Sequence, residues 1–315
     1  MIRTHGLRKR YGSLVAVDGI DLQVRPGEIY GLLGPNGAGK TSTLLMLLGV
    51  VRPTAGEILL FGEPYSPGRL DLRRRIGVVP EKHPRGVWSW MTAREYLELF
   101  ARLFDIAEPS RRIGELLERV GLSADAGRRF HEFSGGMLQK LSFVRALLPD
   151  PDLLLLDEPI SGLDPLGIKS VRDLIIAERR QGRTIVISSH QLSEMERLCD
   201  RVAIISKGRL LAEDALSALL ARIAPEREIL VDVDDAPPAL AQGLLELPFV
   251  TGVEFSGKTL VIRVPREGDF RRALSERLIR DGGVPLRIAE RSSSLEEVYL
   301  TITQDNVRRL TGESP

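Results

Sequence analysis

Residues Gly34-Pro35-Asn36-Gly37-Ala38-Gly39-Lys40-Thr41 carry glycines, a lysine and a hydroxyl in the spacing G-x-x-x-x-G-K-[ST]. Glycines let successive backbone amides curl around a phosphate, and a helix opening behind them adds its positive end. Lys40 then reaches the β- and γ-phosphates of a nucleotide, and the Thr41 hydroxyl is placed to ligate Mg²⁺. Ser42 follows as a further nucleotide contact. A second cluster, Asp157-Glu158, ends the apolar run 153–156. Two acids after a strand usually cap a helix or sit in a solvated turn. Beside a phosphate loop they gain another chemistry: Asp157 holds Mg²⁺, directly or through water, and Glu158 polarises an attacking water as general base.

Such groups need strand ends and helix starts to hold them. Residues 14–24 read as a strand, with Ile20, Leu22 and Val24 alternating against Asp21 and Gln23 until Pro26-Gly27 turns the chain. A strand over 28–33 leads into the glycine loop, and the apolar run 44–48 behind it reads as a buried helix. Residues 91–148 are helical in pattern: Thr92 and Glu95 form a capping box, and Ile113, Leu116, Leu117 and Val120 make a stripe that stops at Gly121. Strand signals return at 153–156, 184–188 and 202–206, separated by helical stretches such as 165–180. Apolar runs alternating with helices predict a mostly parallel sheet.

The composition narrows the function classes. The chain has 315 residues, enough for two domains, with 43% hydrophobic and 28% charged residues, a globular balance. Its 44 Lys and Arg against 43 Asp and Glu leave a net charge of +1, so no basic field suggests nucleic acid as a partner. The longest nearly unbroken apolar stretch, residues 44–51, falls far short of the roughly 20 residues that span a bilayer. Residues 1–10 are polar and basic with no apolar segment behind them, which does not read as a secretory signal. The single cysteine, Cys199, can form neither an internal disulfide nor a thiolate cluster, which fits a reducing compartment.

Near residues 221–226, charge and a proline suggest a linker. Beyond it the pattern predicts strand 229–233, helix 238–247, strands 250–255 and 259–264, helix 269–281 and strand 285–290, the βαββαβ order of a ferredoxin-like domain. A last helix is expected over 295–303. The triplet Arg73-Arg74-Arg75 reads as a solvated helix face, and no internal repeat is present.

Ser134-Gly135-Gly136 opens the helix that runs to Leu148, shortly before the strand that ends at Asp157. Together with the phosphate loop, the acids and His190, this order resembles the ATP-binding subunits of ABC transporters over about residues 1–219. The resemblance implies a P-loop NTPase cassette of α/β class: a mostly parallel sheet, an antiparallel β subdomain and a helical insertion at about 91–148. Residues 220–315 would follow as a small α+β domain for dimer contact or regulation. Carried over by residue, Tyr11 in Lys9-Arg10-Tyr11-Gly12 would stack on adenine. His190 would be the switch histidine at the γ-phosphate, and Ser161-Gly162-Leu163-Asp164 the D-loop. Ser134, Gly135, Gly136 and Met137 would be a signature that closes over ATP bound to a second subunit in a head-to-tail homodimer. His5, His83 and His131 have no such support.

Two positions depart from the family pattern. Glu81 stands where a glutamine is usual; a carboxylate still offers oxygen to Mg²⁺ but donates no hydrogen bond when ionised. The signature reads Phe133-Ser134-Gly135-Gly136-Met137 rather than LSGGQ. Such variants resemble the ABC-2 branch that serves drug, antibiotic or ion exporters, as does the stretch Ser293–Tyr299. The expectation is an ATPase on the cytoplasmic face of the cell membrane, driving a separate membrane-spanning permease docked near residues 86–90. A soluble mechanical ATPase is the alternative, but it normally carries two cassettes in one chain. A chromosome or repair ATPase would need a much longer insertion between Lys40 and Ser134. A non-catalytic regulatory binder sits poorly with the retention of Lys40, Asp157, Glu158 and His190.

Overall fold

Apolar and basic residues alternate at the start of the chain. Ile2, Thr4 and Leu7 turn inward while Arg3, His5 and Arg8 face out, and residues 2–11 form a strand although their composition reads as polar. The computed structural model describes all residues except 82–87, 224–225, 235–237, 266–267, 292–294 and 312–315. Two units are distinct, Met1–Asp214 and Ala215–Pro315.

The first runs β1 (Ile2–Tyr11), β2 (Leu14–Ile20), β3 (Gln23–Val24), β4 (Ile29–Leu33), α1 (Lys40–Leu47), β5 (Ala55–Leu60), β6 (Glu63–Pro64), α2 (Leu70–Arg73) and β7 (Ile76–Val79). It continues through α3 (Ala93–Leu103), α4 (Pro109–Arg119), α5 (Gly135–Leu147), β8 (Leu153–Asp157), α6 (Pro165–Arg180), β9 (Thr184–Ser189), α7 (Leu192–Leu198), β10 (Arg201–Ser206) and β11 (Arg209–Ala215). An antiparallel sheet of order β2-β1-β5-β6, with β3 also on β1, packs against a six-stranded sheet of order β11-β10-β4-β9-β8-β7. In the second sheet β10, β4, β9, β8 and β7 are parallel. One apolar cluster joins both sheets around α1 and includes Ile20, Tyr30, Leu44, Leu47, Leu155 and Val186.

The expected strand 14–24 is interrupted. Thr4 Oγ1 donates to Ile20 O at 2.9 Å and accepts from Leu22 N at 2.8 Å, while Asp21 Oδ1 accepts from Gly6 N at 2.6 Å. These side-chain bonds interrupt the ladder at residues 21–22, where Thr4 N still donates to Leu22 O at 3.0 Å, and the segment divides into β2 and β3, which pair with opposite ends of β1.

The helical insertion forms as its pattern predicts. Thr92 caps α3 and Glu95 returns the bond to the Thr92 backbone, so Glu95 loses proton affinity. Ile113, Leu116 and Leu117 are the buried face of α4. Arg145 on α5 anchors the insertion to the parallel sheet, reaching Tyr96 Oη at 3.1 Å and the Val78 carbonyl at 2.9 Å. Trp88 packs edge-on against Tyr96 and Phe100, whereas Trp90 is exposed. Of the arginine triplet, Arg75 is not simply solvated: it pairs with Asp152 at 2.7 Å and lies over the Phe61 ring.

The second unit comprises α8 (Leu216–Ile223), β12 (Glu226–Val233), α9 (Pro238–Leu245), β13 (Gly252–Ser256), β14 (Thr259–Pro265), α10 (Arg271–Arg280), β15 (Pro285–Arg291) and α11 (Leu295–Thr311). Its antiparallel sheet has the order β13-β14-β12-β15, the ferredoxin-like arrangement. Ile229, Val231, Leu260, Ile262, Leu274 and Leu278 fill its core. Of the linker expected at 221–226, residues 221–223 end α8 and Glu226 begins β12, while 224–225 lie outside the described residues. The division falls at 214/215 rather than 219/220 because α8 packs with α11 and buries Leu219 within the second unit.

Candidate nucleotide site

Every group singled out for chemistry in the parallel sheet leaves a strand at its carboxyl end, where open α/β sheets place their ligands. The glycine loop follows β4, Glu81 follows β7, Asp157 and Glu158 close β8, and His190 follows β9. The five residues of β4 are all buried, flanked by β9 and β10, which makes the loop's base rigid.

Local geometry explains the glycines. Gly39 has φ 108°, and a Cβ there would lie 2.5 Å from the Ala16 carbonyl oxygen; at Gly34 a Cβ would press on the Ile205 carbonyl. A side chain at either position would force the loop away from the sheet. Gly39 opens α1 without a side-chain cap, so the first-turn amides of Lys40, Thr41 and Ser42 remain for an anion.

Lys40 is 6% exposed, and its ammonium donates to Gly34 O at 2.6 Å and Pro35 O at 3.3 Å. The same Nζ lies 3.3 Å from Glu158 Oε1, whose other oxygen is 2.9 Å from His190 Nδ1. Glu158 Oε1 is buried and, apart from this ion pair, has no hydrogen-bond partner among the described residues. Thr41 Oγ1 stands 3.4 Å from Asp157 Oδ1, and the Ser188 hydroxyl donates to that same Asp157 oxygen.

A cavity of about 550 Å³ gathers Tyr11, residues Pro35 to Ser42, Glu81, Glu158 and His190. Tyr11 is 43% exposed at its rim, with the Lys9 ammonium 5.0 Å from the ring centroid. Ser134 is exposed and lies outside this cavity, as do Gly135, Gly136, Met137 and Asp164. Ser134 caps α5 by accepting from Met137 N, and Asp164 caps α6 by accepting from Gly167 N at 2.7 Å. The signature and the phosphate loop of one chain thus do not share a pocket.

Residues 17–161 match the ABC transporter family. The chain is 40% identical over 303 residues to the Nod factor export ATP-binding protein I of Paraburkholderia xenovorans strain LB400, covering 94% of this chain and 95% of that one. The chain belongs to the ATP-binding subunits of ABC transporters. The bacitracin transport ATP-binding protein BcrA of Bacillus licheniformis is 47% identical over 214 residues, 68% of this chain and 69% of its own. A solved ATP-binding subunit of an ABC transporter superposes with a TM-score of 0.64 at 30% identity, covering 70% of this chain and 92% of that structure. As an ABC ATPase the chain binds and hydrolyses ATP, and ABC subunits of this kind dimerise and work with membrane permeases. Among the described residues of this ABC subunit, no helix is long and apolar enough to cross a membrane.

The ABC cassette also holds residues that sequence reasoning missed. Lys207 lines the cavity from the turn between β10 and β11, a turn bonded to the phosphate loop through Gly208 N and Ala38 O at 2.9 Å. Val15 and Ala16 form another wall. Ser188 is fully buried behind the two acids. Its only sequence signal was a pair of serines closing an otherwise apolar strand ahead of His190. His131 bonds the Ser89 carbonyl and His5 is exposed; His83 lies outside the described residues.

Proposed function

We propose that this chain is the energy-supplying subunit of an export system, hydrolysing ATP at Glu158 to drive a separate membrane-spanning permease from the cytoplasmic face of the membrane. The observation that carries the chemistry is the row Lys40–Glu158–His190, 3.3 and 2.9 Å apart, on one wall of the cavity. Lys40 would leave Glu158 for the β- and γ-phosphates, freeing the carboxylate to take a proton from water, while His190 holds the other carboxylate oxygen and faces the γ-phosphate. Tyr11, at the far rim, is the adenine platform.

Thr41 and Asp157 suit Mg²⁺ because two oxygens converge within 3.4 Å, with Glu81 a third oxygen on the cavity wall. Bound there, Mg²⁺ would neutralise charge on the phosphate oxygens. Export is supported by the names of the relatives, and the permease by the exposed Trp90 at the end of the segment where the resemblance docks it. Because Ser134 to Met137 stand apart from their own cavity, they would act on ATP held by a second copy, with Asp164 at the same seam. No basic field favours nucleic acid.

The full chain should release phosphate from ATP in Mg²⁺ buffer and stop when EDTA is added; no release in Mg²⁺ overturns the reading. If Glu81 only lends an oxygen to the metal, Glu81→Gln should keep hydrolysis in the isolated subunit within about tenfold, roughly 1.4 kcal/mol of barrier. Complete loss would give Glu81 a catalytic role.

A further inference from the structure

We propose that Ser188 is a positioning residue that sets the two carboxylates of the site, Asp157 and Glu158, in their working orientations. The inference rests on the reading of Glu158 as base and Asp157 as metal ligand. In the parallel β8–β9 pair, Asp157 stands opposite Ser188 in register, so their side chains share one face of the sheet. The Ser188 hydroxyl has a single hydrogen, and it is given to Asp157 Oδ1, the oxygen that also faces Thr41. The hydroxyl oxygen in turn accepts from Glu158 N at 3.1 Å. One buried hydroxyl therefore touches the side chain of the first acid and the backbone of the second.

Glu158 makes that backbone contact consequential. Its φ is +45°, in the left-handed region that a residue with a Cβ adopts only when its surroundings insist. Its N–H is held twice by Ser188, through the hydroxyl and through the backbone carbonyl, also at 3.1 Å. From that turn the carboxylate meets Lys40 at 3.3 Å and His190 at 2.9 Å. At position 188 an apolar residue would satisfy the core equally well, since the residue is fully buried. A hydroxyl there is instead used in both directions, and both partners belong to the site.

Ser188→Ala retains the backbone carbonyl bond to Glu158 N and the β8–β9 ladder, so the fold should persist. Hydrolysis by the full chain should fall about tenfold or more, the scale of one hydrogen bond to a charged group. The Mg²⁺ concentration giving half-maximal activity should rise several-fold. Binding of a fluorescent ATP analogue supplies a readout independent of turnover. In EDTA its affinity should stay within about twofold of wild type, whereas the tightening produced by added Mg²⁺ should shrink. Ser188→Cys, which keeps the volume but is a poor donor, should reproduce the metal shift without a large change in Tm, guarding against a folding defect in the alanine variant.

The proposal is overturned if activity and Mg²⁺ half-saturation in Ser188→Ala stay within twofold of wild type. It is equally overturned if nucleotide affinity falls by the same factor in EDTA and Mg²⁺, or if Ser188→Cys behaves as wild type; these mark a packing role alone. A wild-type chain that hydrolyses no ATP would instead refute the parent reading, so the two failures are separable.

Discussion

Exchanging Glu158 for glutamine should slow ATP hydrolysis by a factor of about 10² or more while leaving ATP bound. The amide keeps the shape of the carboxylate and can hold a water, but it cannot take the water's proton. Glu158 is 8% exposed and gripped by Lys40 and His190, so no neighbouring solvent base has easy access to the same spot. With chemistry blocked, ATP should remain in the closed pair. The variant should elute from a sizing column as a monomer without nucleotide, as a dimer with Mg-ATP, and revert with Mg-ADP. Adding Ser134→Arg should abolish that dimer with single-subunit ATP binding nearly intact, because Ser134 is exposed and remote from its own cavity. If ATP still pairs the double variant, either the second unit alone makes the dimer or Ser134 does not face a partner's nucleotide.

Lys40→Ala should weaken both ATP and ADP by at least about tenfold, since it removes the side-chain cation expected at the β- and γ-phosphates. The loss goes beyond the missing contact. Lys40 is also the cation beside the buried Glu158, 3.3 Å away, and without it that carboxylate keeps, among the described residues, His190 alone and adds its charge to a site expected to receive phosphates. Equilibrium titration with labelled nucleotide in Mg²⁺ buffer measures this directly. Unchanged affinity would mean that the loop binds no phosphate, whatever its spacing. A loss for ATP with none for ADP would limit Lys40 to the γ-phosphate.

The phosphate loop, the Asp157-Glu158 pair, the Ser134 and Asp164 caps and the βαββαβ order of the second unit were legible in the chain. Each depends on neighbours a few residues away: a glycine's freedom, a cap's reach to the third amide, or the period of an apolar stripe. Local physics also made the helical insertion readable, because the Thr92–Glu95 box and the Ile113–Leu117 stripe lie within single helices. Contacts across the sheets were not readable. That residues 2–11 form a strand, that Thr4 breaks the ladder at Asp21, and that Leu219 belongs to the second unit depend on partners far along the chain. The same holds inside the site. Sequence order places Lys40, Glu158 and His190 more than a hundred residues from one end of the set to the other, and only the parallel register of β4, β9 and β8 brings them within hydrogen-bond reach. Ser188 became visible for the same reason: a serine at a strand end has no assigned task until the register sets it opposite Asp157 and beneath the backbone of Glu158.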